Sequence, residues 1–315
     1  MIMDTWTTKD IPDLSGNLAI VTGATGGLGL ETARDLAVAG AEVILAGRNP
    51  DKAAQAEKTI RGQHLEANVR FEQVDLASLA SVAAFADRQL ARGRPIDILI
   101  NNAGVMALPS RQVTADGFEM QFGTNYLSHF ALTGRLLPLL IAGHARQEGA
   151  RVVQLSSMAH RGGRISLDDL NHEQAYKPWP VYQQSKLAML MFAIELDRRS
   201  QTHGWNLTSV AAHPGFARTD LIANGPAASG AGGLMMAVGR LLQPLISHSA
   251  ADGALPTVMA ATLPTAKGGD YYGPQRVMEM KGPPGPAEIK PQANDADVAR
   301  RLWSASEQLT GVTFA

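Results

Sequence analysis

Eight residues, Thr22-Gly23-Ala24-Thr25-Gly26-Gly27-Leu28-Gly29, constrain this chain more than any other stretch. They lie between an apolar run, Leu18 to Thr22, and a helical pattern from about Leu28 to Ala39 that Gly40 closes. Glycines placed there let the backbone turn sharply and approach a pyrophosphate, while the unpaired N–H groups and dipole of the following helix favour an anion. With the next strand, Glu42 to Ala46, they complete a βαβ unit, and a dinucleotide would meet Gly23, Thr25, Gly27, Leu28 and Gly29. The plain alternative is a glycine-rich turn with no ligand.

The alternation continues downstream. A helix from about Pro50 to Arg61, a strand Val69 to Val74, a helix from about Ser78 to Ala91 and a strand Asp97 to Asn101 follow in order. A long helix through Met120 to Ile141, disturbed at Pro138, precedes the strand Arg151 to Leu155. Another helix, near Tyr182 to about His203, precedes the strand Leu207 to Ala212. Apolar strands separated by helices form a parallel sheet covered on both faces, so the expected class is α/β, a single Rossmann-type doubly wound sheet. No Pro-, Gly- or Ser-rich linker divides the chain before Pro214. Residues 1–315 read as one domain, with a cofactor half at about 14–150 and a catalytic and substrate part at about 151–315.

Beyond Pro214 the periodicity gives way to glycine- and proline-rich pieces, an apolar segment near Leu234 to Ile246 and a late helix near Asp295 to Leu309. The stretch Phe216 to Ile246, with Leu221, Ile222, Met235 and Met236, fits a C-terminal lid over a greasy substrate. It fits equally a helix packed on its own core.

Composition removes several classes of function. Residues are 45% hydrophobic and 18% charged, a balance that supports a packed core. The 28 Lys and Arg nearly match the 29 Asp and Glu, so no general attraction for nucleic acid or anionic lipid is expected. The absence of cysteine excludes disulfides, thiolate metal sites and cysteine nucleophiles. The N-terminal residues lack a basic stretch followed by an apolar core, and no apolar run approaches the ~20 residues of a membrane span, so a cytoplasmic protein without a membrane span is expected.

At the end of the second strand an NAD site would carry an acidic residue for the ribose hydroxyls, whereas this chain has Gly47 and Arg48. Arg48 can form charge-assisted bonds to a 2′-phosphate, which favours NADP(H), with NAD(H) left open and a solvated arginine as the bland alternative. Asp75 and Leu76, after the third strand, are placed to meet the adenine; capping of the helix near Ser78 competes for Asp75.

Together these features resemble the short-chain dehydrogenase/reductase family, over the span from about Leu18 to Thr219. The resemblance rests on the glycine motif, on Asn101-Asn102-Ala103-Gly104, on Asn125, on Ser157 and on Tyr182-Gln183-Gln184-Ser185-Lys186. Pro214, Gly215 and Thr219 follow where the family places the loop over the nicotinamide. Leu155 to His160 and the long interval to Tyr182 resemble the branch with retinol dehydrogenases and protochlorophyllide reductase. That interval implies an insertion, Ile165 to Pro180, looped out near the site, where His160, His172, Tyr176 and Trp179 lie in or beside it.

The resemblance implies a nicotinamide-dependent oxidoreductase with Asn125, Ser157, Tyr182 and Lys186 as catalytic residues, and Asn102, Ala103, Gly104, Pro214, Gly215 and Thr219 at the cofactor. A free tyrosine, with a pKa near ~10, carries protons poorly at neutral pH, and Lys186, one helical turn on, supplies a charge to stabilise its phenolate. Ser157 would donate to a substrate carbonyl oxygen and Tyr182 would protonate it, with Ser157 preferred to Ser156 by family alignment. Asn125 would hold a water near Lys186; the bland reading is an amide bonded to backbone. No metal is expected, and pairing of subunits along the Met120 and Tyr182 helices is left open. A carbon–carbon double-bond reductase and a silent NADP-binding regulatory protein are the rival readings.

Overall fold

The computed structural model describes residues 5–143, 149–217 and 248–314. Its centre is an eight-stranded sheet in the order β3-β2-β1-β4-β5-β6-β7-β8, parallel except for the last pair. The strands are β1 (Leu18–Thr22), β2 (Glu42–Gly47), β3 (Val69–Gln73), β4 (Ile98–Asn101), β5 (Ala150–Leu155), β6 (Leu207–Ala212), β7 (Tyr271–Arg276) and β8 (Lys281–Pro286). The order reverses between β1 and β4, the point where such sheets open a crevice at the carboxyl ends of their strands.

Period-two alternation along each strand feeds two cores. Ile20, Ile44, Leu99 and Val152 face one; Val21, Val43, Ile100 and Val153 face the other. The second core is covered by α1 (Gly27–Val38), α2 (Pro50–Gln63) and α7 (Ala250–Thr262). The first is covered by α3 (Leu79–Arg92), α5 (Ser128–Ala142), α6 (Pro178–His203) and α8 (Ala296–Thr310). Local chemistry sets their ends. Ser78 caps α3 through its side chain, and Asp295 caps α8 by accepting from the amides of Asp297 and Val298. Left-handed Gly93, Gly204 and Gly311 close α3, α6 and α8.

Three features depart from the sequence expectations. The long helix is interrupted: one turn, α4 (Met120–Phe122), passes into a π-helical turn, Gly123–Leu127, before α5, and α5 continues through Pro138. Helix α6 starts a turn early, at Pro178, where the missing amide proton of proline costs nothing. The C-terminal part of the chain extends the sheet by β7 and β8, whose prolines argued against strands; β8 lies at the edge, where proline is tolerated. The segment Leu234 to Ile246 lies outside the described residues.

The C-terminal helix then packs on α5 and α6. Trp303 of α8 and Phe314 beyond it lie 4.6 Å apart by ring centroids, and each is 5.0 Å from Phe130 of α5. Gly134 makes room for this tail, because a Cβ there would fall 2.7 Å from Val312 and 2.8 Å from Phe314.

Candidate active site

A cleft of about 1080 Å³ opens along the carboxyl ends of the parallel strands. Gly23 follows β1, Gly47 ends β2, Asn102 follows β4, Ser156 and Ser157 follow β5, and Pro214 follows β6; all line it.

The glycine turn leaves α1 without a cap: Gly26, the N-cap residue, offers no side-chain bond to the first-turn amides. Gly23 and Gly27 have φ of 67° and 54°, and a Cβ on Gly29 would run into the main-chain oxygen of Gly23. Thr25, Gly27, Leu28 and Gly29 border the cleft with Gly23. A helix start with unpaired amides, kept free of side chains, fits a pyrophosphate.

At the far end of this wall are Arg48, Asp75 and Leu76. A Cβ on Gly47 would sit 3.1 Å from the Thr25 methyl, so glycine there also serves the packing of the loop. The Asp75 carboxylate accepts from the amide of Ala77 at 3.0 Å, while the cap of α3 is Ser78. Lys52, in the first turn of α2, joins Arg48 at the cleft; a second basic residue four positions on was the available signal. Asn102, Ala103 and Gly104 form the facing wall. The side-chain amide of Asn102 donates to the main-chain oxygen of Thr22 at 2.7 Å, and a Cβ on Gly104 would come within 3.0 Å of Asn125 Oδ1 and 3.6 Å of Lys186 Nζ.

Ser157, Tyr182 and Lys186 meet at the inner end of the cleft. The Ser157 side chain lies near enough to the Tyr182 hydroxyl to favour its ionised form. Ser156 is committed elsewhere: its hydroxyl donates to the main-chain oxygen of Lys186 at 2.7 Å. Burial pushes Tyr182 up to about 12, against the opposing pull of the Ser157 side chain. Burial lowers Lys186 to about 8. Its ammonium lies 5.8 Å from the centre of the Tyr182 ring.

Asn125 stands apart from the cleft wall, fully buried in the π-helical turn. Its amide donates to the main-chain oxygen of Val105 at 2.9 Å and to Ser185 Oγ at 3.0 Å, and its Oδ1 accepts from the amide of Val105 at 2.8 Å. The side chain is therefore held by backbone beneath the cleft floor.

Among the aromatic and histidine residues in or beside the insertion, only Trp179 lines the cleft, its ring 5.5 Å from that of Tyr182. Tyr176 donates to the main-chain oxygen of Leu108 at 2.7 Å and so pins the insertion to the segment before α4. His160 lies under the site, Nδ1 2.7 Å from the main-chain oxygen of Ser157. Met106, Met120 and Met158, unremarked in the sequence, give the cleft an apolar wall that continues to Phe216. Pro214 and Gly215 border the cleft, Gly215 at φ 65°. Thr219 and the lid residues from Leu221 to Ile246 lie outside the described residues. No group of three or more potential metal ligands occurs among the described residues.

Comparison with known proteins agrees with this geometry. Residues 17–229 match the family model for short chain dehydrogenase. The chain is 39% identical over 303 residues to the Polyprenol dehydrogenase of Mus musculus, covering 96% of this chain and 86% of that one. It is 40% identical over 302 residues to the Retinol dehydrogenase 13 of Homo sapiens, covering 95% and 86%. A crystal structure of a Mycobacterium Paratuberculosis protein superposes with a TM-score of 0.79 at 38% identity, covering 99% of each chain.

Proposed function

This chain belongs to the short-chain dehydrogenase family and is an oxidoreductase acting on a small molecule, and from that premise we propose that it interconverts a carbonyl and an alcohol on an apolar substrate, with NADP(H) as cofactor and Tyr182 as general acid and base. The family uses nicotinamide cofactors, and the bare, uncapped start of α1 fits one. Such a cofactor supplies the hydride.

The observation that carries the proposal is the convergence of Ser157, Tyr182 and Lys186 on one cleft, with Lys186 one turn beyond Tyr182 along α6. In reduction, Ser157 orients the substrate oxygen and Tyr182 protonates it as the carbon receives hydride. A tyrosine pushed up to about 12 by burial is fully protonated at neutral pH, as an acid must be. The phenolate left behind needs a neighbouring positive charge, and Lys186 is placed to provide it. In oxidation the same groups run in reverse.

Arg48 and Lys52, with no carboxylate at Gly47, support a 2′-phosphate and thus NADP(H) over NAD(H). The wall of Met106, Met120, Met158 and Trp179 supports an apolar substrate, in keeping with relatives named for polyprenol and retinol. Among the described residues no helix is long and apolar enough to cross a membrane; the expected cytoplasmic placement rests on sequence alone. Trp303 of α8 and Phe314 beyond it cover Phe130 of α5, and Trp303 covers Phe192 of α6, so these parts of the two helices are already packed within the chain.

The test is oxidation of NADPH, followed at 340 nm, with aromatic ketones, retinal-like aldehydes, steroids and enones, beside NADH controls and a Tyr182→Phe variant. Carbonyl turnover that falls about 10³-fold in the variant while NADPH still binds supports the proposal. Loss of the alkene rather than the carbonyl in the product, or tight NADPH binding with no turnover of any substrate, overturns it.

A further inference from the structure

Beneath the cleft, His129 links the π-helical turn that precedes it to the end of β1 and, through Thr22, to the turn after β4. It is fully buried in α5. Its Nδ1 is 2.8 Å from the main-chain oxygen of Asn125, and its Nε2 is 2.9 Å from Thr22 Oγ1, at the end of β1. That same hydroxyl oxygen accepts the main-chain amides of Asn102 at 2.9 Å and Ala103 at 3.0 Å.

Counting donors leaves one arrangement. A carbonyl oxygen only accepts, so Nδ1 of His129 carries the proton it gives to Asn125. A hydroxyl has one proton and two acceptor positions. Both positions on Thr22 are filled by the two amides, so its proton is donated, and Nε2 of His129 is a nearer acceptor than the oxygen of Ile100 at 3.3 Å. A doubly protonated imidazole would aim a second N–H at an oxygen with no free acceptor position. Burial, with the nearby charge of Lys186 pushing the same way, lowers His129 to about 4 against its bond to Asn125, so the neutral ring persists at neutral pH.

We infer that His129 is a positioning residue that locks the cofactor-facing turn Asn102–Gly104 and the catalytic-side residue Asn125 into one register through Thr22. The inference rests on the cofactor reading above and adds a residue to it. If Thr22 Oγ1 shifts, the amides of Asn102 and Ala103 lose their shared acceptor in the cleft wall. If Asn125 shifts, so do its bonds to Val105 and Ser185, and the close approach of Gly104 to Lys186 is lost with them. The imidazole spans the two, with a donor on one side and an acceptor on the other.

The experiment measures three quantities on the full chain: NADPH dissociation constant by fluorescence titration, turnover, and melting temperature. The proteins are wild type, His129→Leu, His129→Gln, Thr22→Val and the His129→Leu/Thr22→Val double variant. Losing the His129 link is expected to weaken NADPH about 10-fold and lower turnover about 10-fold. Gln, which keeps a donor and an acceptor, should recover NADPH affinity to within about 3-fold of wild type. The double variant should bind no more weakly than the weaker single one, because both substitutions cut the same link. Thr22→Val is close in shape to the wild type and, with His129→Gln, carries the test should His129→Leu fail to fold. A His129→Leu protein that melts lower yet binds and turns over like wild type overturns the inference, as do additive losses in the double variant. Wild-type protein that binds no nicotinamide cofactor overturns the cofactor reading and this inference together; normal wild-type binding with unaffected variants overturns the inference alone.

Discussion

The ammonium of Lys186 donates to the main-chain oxygen of Leu155 at 2.9 Å, tying the middle of α6 to the last residue of β5. The bond places a charge in the interior, and burial lowers its pKa from 10.5 to about 8. Between those values the folded protein releases the proton before the unfolded chain does, so the contribution of Lys186 to stability rises with pH from about 8 to 10.5. Below about 8 the full cost of the buried charge is present.

Lys186→Met removes that dependence. The stability difference between variant and wild type, from urea melts, should move in favour of wild type by about 3 kcal/mol from pH 7 to pH 10.5. Tyr182, whose pKa is raised, contributes with the opposite sign: stability held below pH 10 is lost as pH climbs towards 12. A difference that stays flat with pH would mean that the ammonium is not buried in the folded protein.

Arg48→Ala should raise the NADPH dissociation constant by about 10- to 100-fold, from the loss of charge-assisted bonds, and change that of NADH by less than about 3-fold. Lys52→Ala should do the same more weakly. Competitive titration of the two cofactors measures both. Equal losses for NADPH and NADH would show that these residues do not read the 2′-phosphate.

Val277, Met278 and Glu279, at the tip of the β7–β8 hairpin, have φ of 52°, 54° and 66° in succession. A β-branched residue in that region is strained, and Val277 is 43% exposed, so little burial offsets the strain. Val277→Asn should raise stability by about 0.5–1 kcal/mol, read as a higher melting temperature. A lower one would mean that the Val277 methyls hold the turn.

Gly134→Ala poses two principles against each other. Helix propensity alone favours alanine by about 1 kcal/mol inside a helix. Overpacking against Val312 and Phe314, 2.7 and 2.8 Å from the new methyl, costs about 1–3 kcal/mol. The prediction is a net loss of about 1 kcal/mol in chemical denaturation; a gain would show that the tail leaves α5 readily.

What was legible in the sequence was local. The glycine loop, the buried strands and the Tyr182–Lys186 spacing each depend on a few adjacent residues, and the structure brings Gly23, Arg48, Ser157, Tyr182 and Pro214 to one cleft. The preference for Ser157 over Ser156 came from the family alignment and not from any local rule; in the structure the Ser156 hydroxyl is bonded to the backbone of α6. Strands β7 and β8 were hidden because prolines break strands except where an amide has no partner to meet: Pro283, Pro284 and Pro286 lie in the edge strand, and Pro274 lies beyond the pairing of β7 with β6, neither of which is written locally. The π-helical turn at Gly123–Leu127 has no periodic signature, so the direction in which Asn125 points could not be read. The role of Tyr176 as a tether depends on a partner, Leu108, that lies 68 positions earlier.

The aromatic cluster that joins Phe130 and Phe192 to Trp303 and Phe314 also sets an order of events in time. A chain made from its N-terminus completes the glycine loop, the cofactor strands and even Tyr182 long before residue 303 exists. Throughout that interval the faces of α5 and α6 that carry Phe130 and Phe192 have no cover, so a nascent chain presents a sticky aromatic surface until its C-terminal helix arrives. Contacts closed across more than half of the sequence also make the last step of folding slow. For this protein, the vulnerable stage is the interval before residues 303–314 are made.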